Sequence, residues 1–344
     1  MFLIRNAVQK DLKQILGLAR YLDSYNLSAD KYVLKKLLHD TGLSFRAKIK
    51  EKDRMKFLFV AEEIGSGKII GCSLIIARHG TPLLPHLSFE LKEEYKTSRF
   101  LSKRIEHQTL KLRADPKGFT EIGGLVVLPK YRELPEKIGK ELSYARFLYM
   151  ARNPKKFQRR MIVEYLPKLD PESGNKLWES VGRKFTKLSY RQADRLSAVN
   201  KEFILSLFPK EKVYGCFLSD TVVRNLGMPG AGAKKSLRML EKIGFRFLNQ
   251  IDPFDGGPHY GAAFSKISLV RNTAFLRYDG KMPVRKNENS LAMIMYEKRG
   301  TVRSLLGAYE RRGKSVRLNS ETAELLGVHH GEILALVSFN GGRP

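Results

Sequence analysis

Cysteine is nearly absent from this chain: 344 residues hold only Cys72 and Cys216, far apart and each among apolar neighbours. That excludes a disulfide framework, and with no CxxC and no Cys/His cluster of metal-ligand spacing it predicts reduced thiols in a cytoplasm and no metal. Long apolar runs are missing as well. The longest, near residues 69–77, falls far short of the ~20 residues of a membrane span, and Met1-Phe2-Leu3-Ile4-Arg5 is too brief for a signal peptide, so neither insertion nor secretion is expected. Acidic residues are scarce: 35 Asp+Glu against 63 Lys+Arg leave a net charge of +28. Such a field concentrates polyanions, so it admits nucleic acid, acidic membrane surfaces and phosphate-rich cofactors while selecting none of them. The densest basic run, residues 152–160, carries one aromatic, Phe157. A single-strand platform needs several aromatics spaced along a groove, and no recognition-helix, RNP or zinc-finger pattern is present.

What is present is a chain long enough for two domains, with 42% apolar residues to fill their cores. The most informative stretch is residues 120–151. Ile122-Gly123-Gly124-Leu125-Val126-Val127 reads as a short strand stopped by Pro129, and Tyr131-Arg132 leads through Pro135 to Gly139. Ile138, Leu142, Ala145 and Tyr149 then recur at helical spacing, which predicts a helix with one apolar stripe and a polar opposite face. A strand feeding a helix through a Gly-containing loop aims free backbone N–H groups at whatever stands before them, a ready site for phosphate. The same spacing equally suits an ordinary strand-loop-helix connection.

Leu3-Ile4-Arg5 reads as a strand, followed by helices from Asp11 and over residues 30–39. Residues 57–62 and 68–77 form two β-rich runs joined by Ile64-Gly65-Ser66-Gly67, an antiparallel hairpin. Residues 80–116 show no clear period, as a long loop would. Residues 161–165 read as a strand parallel to 122–127, with the intervening helix as crossover. Near the C-terminus, residues 290–297, 301–308 and 332–339 are β-rich, and Asn319 or Ser320 caps a short helix ended by Gly327.

This order, with a phosphate-facing loop between strand and long helix, resembles the acyl-CoA N-acyltransferase (GNAT) fold. Leu177-Trp178-Glu179-Ser180-Val181-Gly182-Arg183-Lys184-Phe185 and Ile251-Asp252-Pro253-Phe254-Asp255-Gly256-Gly257-Pro258 resemble two signature stretches of the bacterial arginine N-succinyltransferases. Tyr131-Arg132, Gly139-Lys140, Arg146-Phe147-Leu148 and residues 241–245 fit the same family in order and spacing. The resemblance implies an α+β chain of two GNAT-like halves, residues 1–188 and 189–260, with a β-rich extension at 261–344. It implies transfer of a succinyl group from succinyl-CoA to the α-amine of L-arginine, with no permanently bound cofactor. Two departures stand out. The central loop is longer than the family's and keeps one glycine, Gly139, of a pair, and Gly230-Ala231-Gly232-Ala233 stands where the family usually carries a His-Pro pair and a Thr.

Acyl transfer to an amine needs a neutral amine, donors for the developing oxyanion and an acid for the leaving thiolate. Glu121 and Glu164, which match carboxylates in the family pattern, are the candidates to take the amine's proton, though either could be a strand-end glutamate in solvent. Backbone groups of Leu125, Val126 and Val127 would meet the oxyanion and the pantetheine arm. Tyr144 could protonate the thiolate or simply pack. Arg132, Gly139 and Lys140 suit the phosphates of succinyl-CoA. Arginine is a cation that the chain's field repels, so carboxylates must reverse the potential locally. Asp255 and Glu179 are the candidates for the guanidinium, with Ser180 and Gly256 beside them and Asp252 in reserve; Asp255-Gly256-Gly257-Pro258 also suits a plain turn. Trp178 is expected in the core, and His259, His329 and His330 on turns. A homo-oligomer is admitted. Alternative readings are a related N-acyltransferase with another donor or acceptor such as ornithine, and a non-catalytic GNAT-derived protein that binds polyanions.

Overall fold

The structure, a computed structural model, describes residues 1–21, 27–167, 175–197, 199–282, 291–340 and 342. In chain order, β1 (Phe2–Asn6) leads to α1 (Leu12–Ala19) and α2 (Lys31–Phe45). Asp30 caps α2, its carboxylate accepting from the Tyr32 and Val33 amides. β2 (Lys56–Glu63) and β3 (Lys68–His79) form the expected hairpin, with Gly65 and Gly67 taking the positive φ that its turn requires. Next come β4 (His86–Ser98), β5 (Lys103–Asp115), β6 (Phe119–Val127), α3 (Ile138–Arg152) and β7 (Arg160–Glu164). Short helices α4 (Lys176–Ser180), α5 (Gly182–Thr186), α6 (Tyr190–Ser197) and α7 (Glu202–Leu207) precede β8 (Val213–Tyr214). Then follow α8 (Asp220–Asn225), α9 (Lys234–Lys242), β9 (Arg246–Ile251) and β10 (Pro258–Ala263). The last part holds α10 (Ser268–Asn272), β11 (Ala274–Lys281), β12 (Leu291–Lys298), β13 (Thr301–Arg312), β14 (Ser315–Leu318), α11 (Ser320–Leu326) and β15 (Ile333–Ser338). Among the described residues no helix is long and apolar enough to cross a membrane.

The chain divides into two discontinuous units, Met1–Arg78 with Thr120–Met161 and Ala263–Pro344, and His79–Phe119 with Ile162–Ala262. These differ from the expected sequential segments 1–188, 189–260 and 261–344, because strand pairing joins segments distant in the chain. In the first unit, β13 pairs with β1 through Ile4↔Ser304, so the C-terminal strands attach to the N-terminus and not to the second half. They also form no open sheet. β12 pairs with both β15 and β13, and with β11 and β14 between, the five strands close into a ring. Closure leaves these strands no bare edge, and Leu276, Ile294, Leu305, Val316 and Leu334 fill the inside, with Ala323 and Leu326 of α11 among them. Ser290, the expected start of β12, lies outside the described residues.

Helix α3 departs from its expected amphipathic character: Ile138 and residues 141–150 are all buried. β1 and β2 cover one part of its surface, and β12, β15 and α10 cover more, so the stripe legible in the sequence is only the first of its packed faces. Tyr149 anchors it in an aromatic cluster with Phe45, Phe57, Phe59 and Phe157, ring centroids 5.0–6.1 Å apart.

In the second unit the strand order is β7-β10-β9-β4-β5-β8. Residues 80–116, read as a loop, form instead the long β4–β5 hairpin, paired without a break from His86↔Asp115 to Ser98↔Lys103. Its distal half is exposed on both faces, which erases the alternation that would have marked it as strand. Trp178 is in the core as expected, fully buried and stacked on Phe254 at 4.9 Å between centroids with planes 6° apart. Its indole N–H donates to the Leu188 carbonyl at 2.9 Å. A Cβ on Gly182 would stand 2.3 Å from the Trp178 ring, so the glycine of the first signature exists to admit its tryptophan. The two signature stretches are thus one packing unit, held together by Trp178 on Phe254.

Candidate functional site

In the first unit, β6 carries a left-handed residue at its centre, Gly124 at φ +55°, which breaks the regular pleat of the strand just before Leu125, Val126 and Val127. Arg132, expected to face phosphate, turns its Nε onto the Val127 carbonyl at 2.8 Å and so ties the turn to the strand end. Lys137 takes a left-handed φ of +58° immediately before α3. The Lys140 and Glu141 amides bond back to the Lys137 carbonyl at 2.7 and 3.2 Å, and the N–H groups of Ile138 and Gly139 head the helix. A Cβ at Gly139 would meet only Val127 Cγ2, at 3.9 Å, leaving an open approach to that helix end. Glu141 in the first turn is buried, and burial together with Glu136 pushes its carboxyl up to about 8. It therefore stays protonated at neutral pH and adds no negative charge where the amides point.

Along α3, Tyr144 is buried, which raises its hydroxyl above the usual range and keeps it protonated. Its ring lies 5.9 Å from that of Phe339, and Lys140 Nζ stands 3.9 Å from the Phe339 ring centroid. The C-terminal segment therefore sits over two residues assigned to the donor site. Buried Arg146 donates from Nη1 to the Gly123 carbonyl at 3.3 Å and from Nη2 to Ser143 Oγ at 3.0 Å, fixing helix to strand beside the break in β6. Glu121, 1% exposed, lies on the same strand and favours the charged form of Lys56, which burial opposes.

In the second unit the second signature is a knot of carboxylates. Asp252 Oδ1 accepts the amides of Phe254 and Asp255 at 2.7 and 3.1 Å, and Asp255 Oδ1 accepts that of Gly257 at 2.7 Å. Gly256 sits at φ +80° with its carbonyl accepting the Gly227 amide at 3.0 Å. A Cβ on Gly257 would fall 2.2 Å from the Tyr165 carbonyl. Burial, then the neighbouring Asp252, raises Asp255 well above the usual carboxylate range, with Glu164 and Asp194 adding further negative potential. Burial likewise raises Asp252. The residue beside Asp255 is thus Asp252, held in reserve by the sequence reading. Glu179 lies exposed on α4 with its carboxylate accepting from Arg183 Nη1 at 2.8 Å, and Ser180 ends that helix.

The same unit gathers histidines that sequence reasoning passed over. His259, expected on a turn, is fully buried on β10. His86 Nδ1 lies 3.3 Å from Glu164 Oε1. The ring centroid of His86 is 5.2 Å from that of His79 and 5.0 Å from that of His259. No spacing rule could have found residues 79, 86, 164 and 259 together; the only hint was that His259 follows directly on the second signature.

Compared with known proteins, residues 2–269 match the family described as AstA, arginine N-succinyltransferase beta subunit. The chain is 30% identical to arginine N-succinyltransferase subunit alpha of Pseudomonas aeruginosa, over 98% of this chain and 100% of that one. It is 32% identical to subunit beta of the same organism, over 78% of each, and 30% identical to arginine N-succinyltransferase of Yersinia pestis, over 82% of each. Among solved structures, arginine/ornithine succinyltransferase subunit AI from Pseudomonas aeruginosa superposes with a TM-score of 0.82 at 27% identity, covering 98% of this chain and 99% of that one.

Proposed function

The chain belongs to the arginine N-succinyltransferase family, and on that premise we propose that it transfers the succinyl group of succinyl-CoA to the α-amine of L-arginine in arginine catabolism. It is an α+β, GNAT-like, acyl-CoA-dependent N-acyltransferase. The observation that carries the acceptor assignment is the pair Asp252 and Asp255, both raised by burial and Asp255 further by its neighbour, in a chain of net charge +28. Adjacent carboxylates with raised proton affinity are stabilised by an arriving cation, and a planar guanidinium satisfies both at once.

The reaction joins the α-amine nitrogen to the thioester carbonyl carbon and releases CoA as a thiol. Glu121, on the strand that carries the donor segment, takes the ammonium proton directly or through water. Backbone groups of Leu125–Val127 receive the pantetheine arm and the oxyanion, where Gly124 breaks the pleat. The N–H groups of Ile138 and Gly139 receive the pyrophosphate, with Lys140 supplying positive charge and Arg132 holding the loop that presents them. Tyr144, kept protonated by burial, supplies the thiolate's proton. Asp255 with Asp252 holds the guanidinium, and Gly256 shapes that loop. Glu179 and Ser180, on α4, are the further candidates for contact with the acceptor.

One solved relative is titled arginine/ornithine succinyltransferase, which makes ornithine the second acceptor to examine. Relatives named as alpha and beta subunits support an oligomeric enzyme, and light scattering on the purified protein decides whether one chain suffices. A cytoplasmic location is part of this reading. The deciding experiment is a free-thiol assay with succinyl-CoA and acetyl-CoA, each against arginine, ornithine and lysine, with mass spectrometry of the products. Succinyl-arginine above background is the expected result, and silence with every pair removes the proposal.

A further inference from the structure

Three of the chain's seven histidines converge on one glutamate inside the second unit, from positions 79, 86 and 259. Among the described residues, two groups have ligand atoms all within 4.8 Å of one another: His79, His86 and Glu164, and Glu164, Asp252 and His259. Both contain Glu164. His86 and His259 are at most 3% exposed, so neither is a surface histidine caught near a carboxylate by chance. A tetrahedral ion with bonds of about 2.0–2.1 Å to nitrogen and oxygen spaces its ligands about 3.3–3.4 Å apart. The His86 Nδ1 to Glu164 Oε1 separation is 3.3 Å, which matches that edge.

From this geometry we infer that the second unit binds a divalent transition metal of the zinc class through His79, His86 and Glu164. His259, packed against His86, stands next for the fourth position. Two imidazoles and one carboxylate select zinc-like ions over magnesium or calcium, which prefer all-oxygen sites. Nothing in the chemistry of succinyl transfer calls for this ion, and its service is structural. His79 and His86 bracket the turn at Gly80, whose φ is +96°, and Glu164 ends β7, so one ion fastens that turn to the strand. It also neutralises a carboxylate that otherwise repels Asp255. The site thereby steadies the acceptor carboxylates without touching the reacting atoms.

The test uses the full-length, untagged protein. Elemental analysis after exhaustive buffer exchange is expected to show about one zinc-class ion per chain. After chelation, added zinc at a hundredfold excess over its dissociation constant is expected to raise the melting temperature by at least about 3 °C. His79→Ala, which alters the less buried of the two histidines, is expected to fold and to lose both the ion and the shift. Should His79→Ala destabilise the chain, His86→Asn supplies the same comparison at a near-isosteric residue. Absence of bound metal together with no zinc-dependent shift overturns the inference. So does a shift of equal size in the wild type and both variants, which would place the ion elsewhere. Metal content and melting are read without turnover, so their failure is distinct from a failure of the succinyltransferase reading.

Discussion

Glu141 occupies the first turn of α3 with its carboxyl buried and pushed up to about 8 by burial and by Glu136. In the unfolded chain the same group titrates near 4.5. Between those values the folded state holds a proton that the unfolded state has released, so stability falls as pH rises from about 4.5 to about 8, by roughly 5 kcal/mol at most. Glu141→Gln removes the titration. Its melting temperature is expected to exceed that of the wild type at pH 8 and to lose much of the decline between pH 6 and 8, read by calorimetry across that range. Asp255, proposed to hold the guanidinium, would put a raised carboxylate to the opposite use, its cost offset when a cation arrives. Asp255→Asn is expected to raise KM for arginine about 10-fold or more while leaving KM for succinyl-CoA within about 2-fold. Equal effects on both substrates would remove Asp255 from the acceptor pocket. Asp255 was legible from its signature, whereas Glu141 was not, because only packing distinguishes a buried glutamate from the solvated ones that a helix's first turn usually carries.

At the scale of elements, the two signature stretches turn out to be joined by aromatic stacking. Gly182 heads α5 against the face of Trp178, and any Cβ there meets ring carbons at 2.3–2.5 Å. Gly182→Ala must displace a fully buried tryptophan and its partner Phe254, so a loss of about 3 kcal/mol is expected, seen as a lower melting temperature and poor soluble yield. The strand-loop-helix of β6 and α3 was legible in the sequence because a glycine pair, a proline stop and a helical repeat occur in order. Its burial on further sides was not, since β12 and β15 come from segments far beyond it in the chain, Leu291–Lys298 and Ile333–Ser338. The β4–β5 hairpin escaped for a different reason: half of it packs against nothing, and unpacked strand carries no alternation to read.

For the whole molecule, a net charge of +28 must act in opposite senses on the two substrates. Raising ionic strength from 20 to 300 mM shortens the Debye length from about 20 to about 6 Å. KM for succinyl-CoA is expected to rise several-fold over that interval, while KM for arginine stays level or falls; parallel changes would show that the field of the whole molecule does not reach the sites. The sequence by itself determined the family, the α+β class, the strand-loop-helix of β6 and α3 and the core placement of Trp178. Each of these is written in local order, as a glycine before a helix, an aromatic at fixed spacing or an apolar repeat. Only the tertiary structure decided which segments share a unit, that the last five strands close on themselves, and that Asp252 rather than Glu179 stands beside Asp255. It alone brought His79, His86 and His259 to Glu164. Those outcomes depend on pairing between strands far apart in the chain, where the register of one strand on another, and not any local pattern, sets which side chains meet.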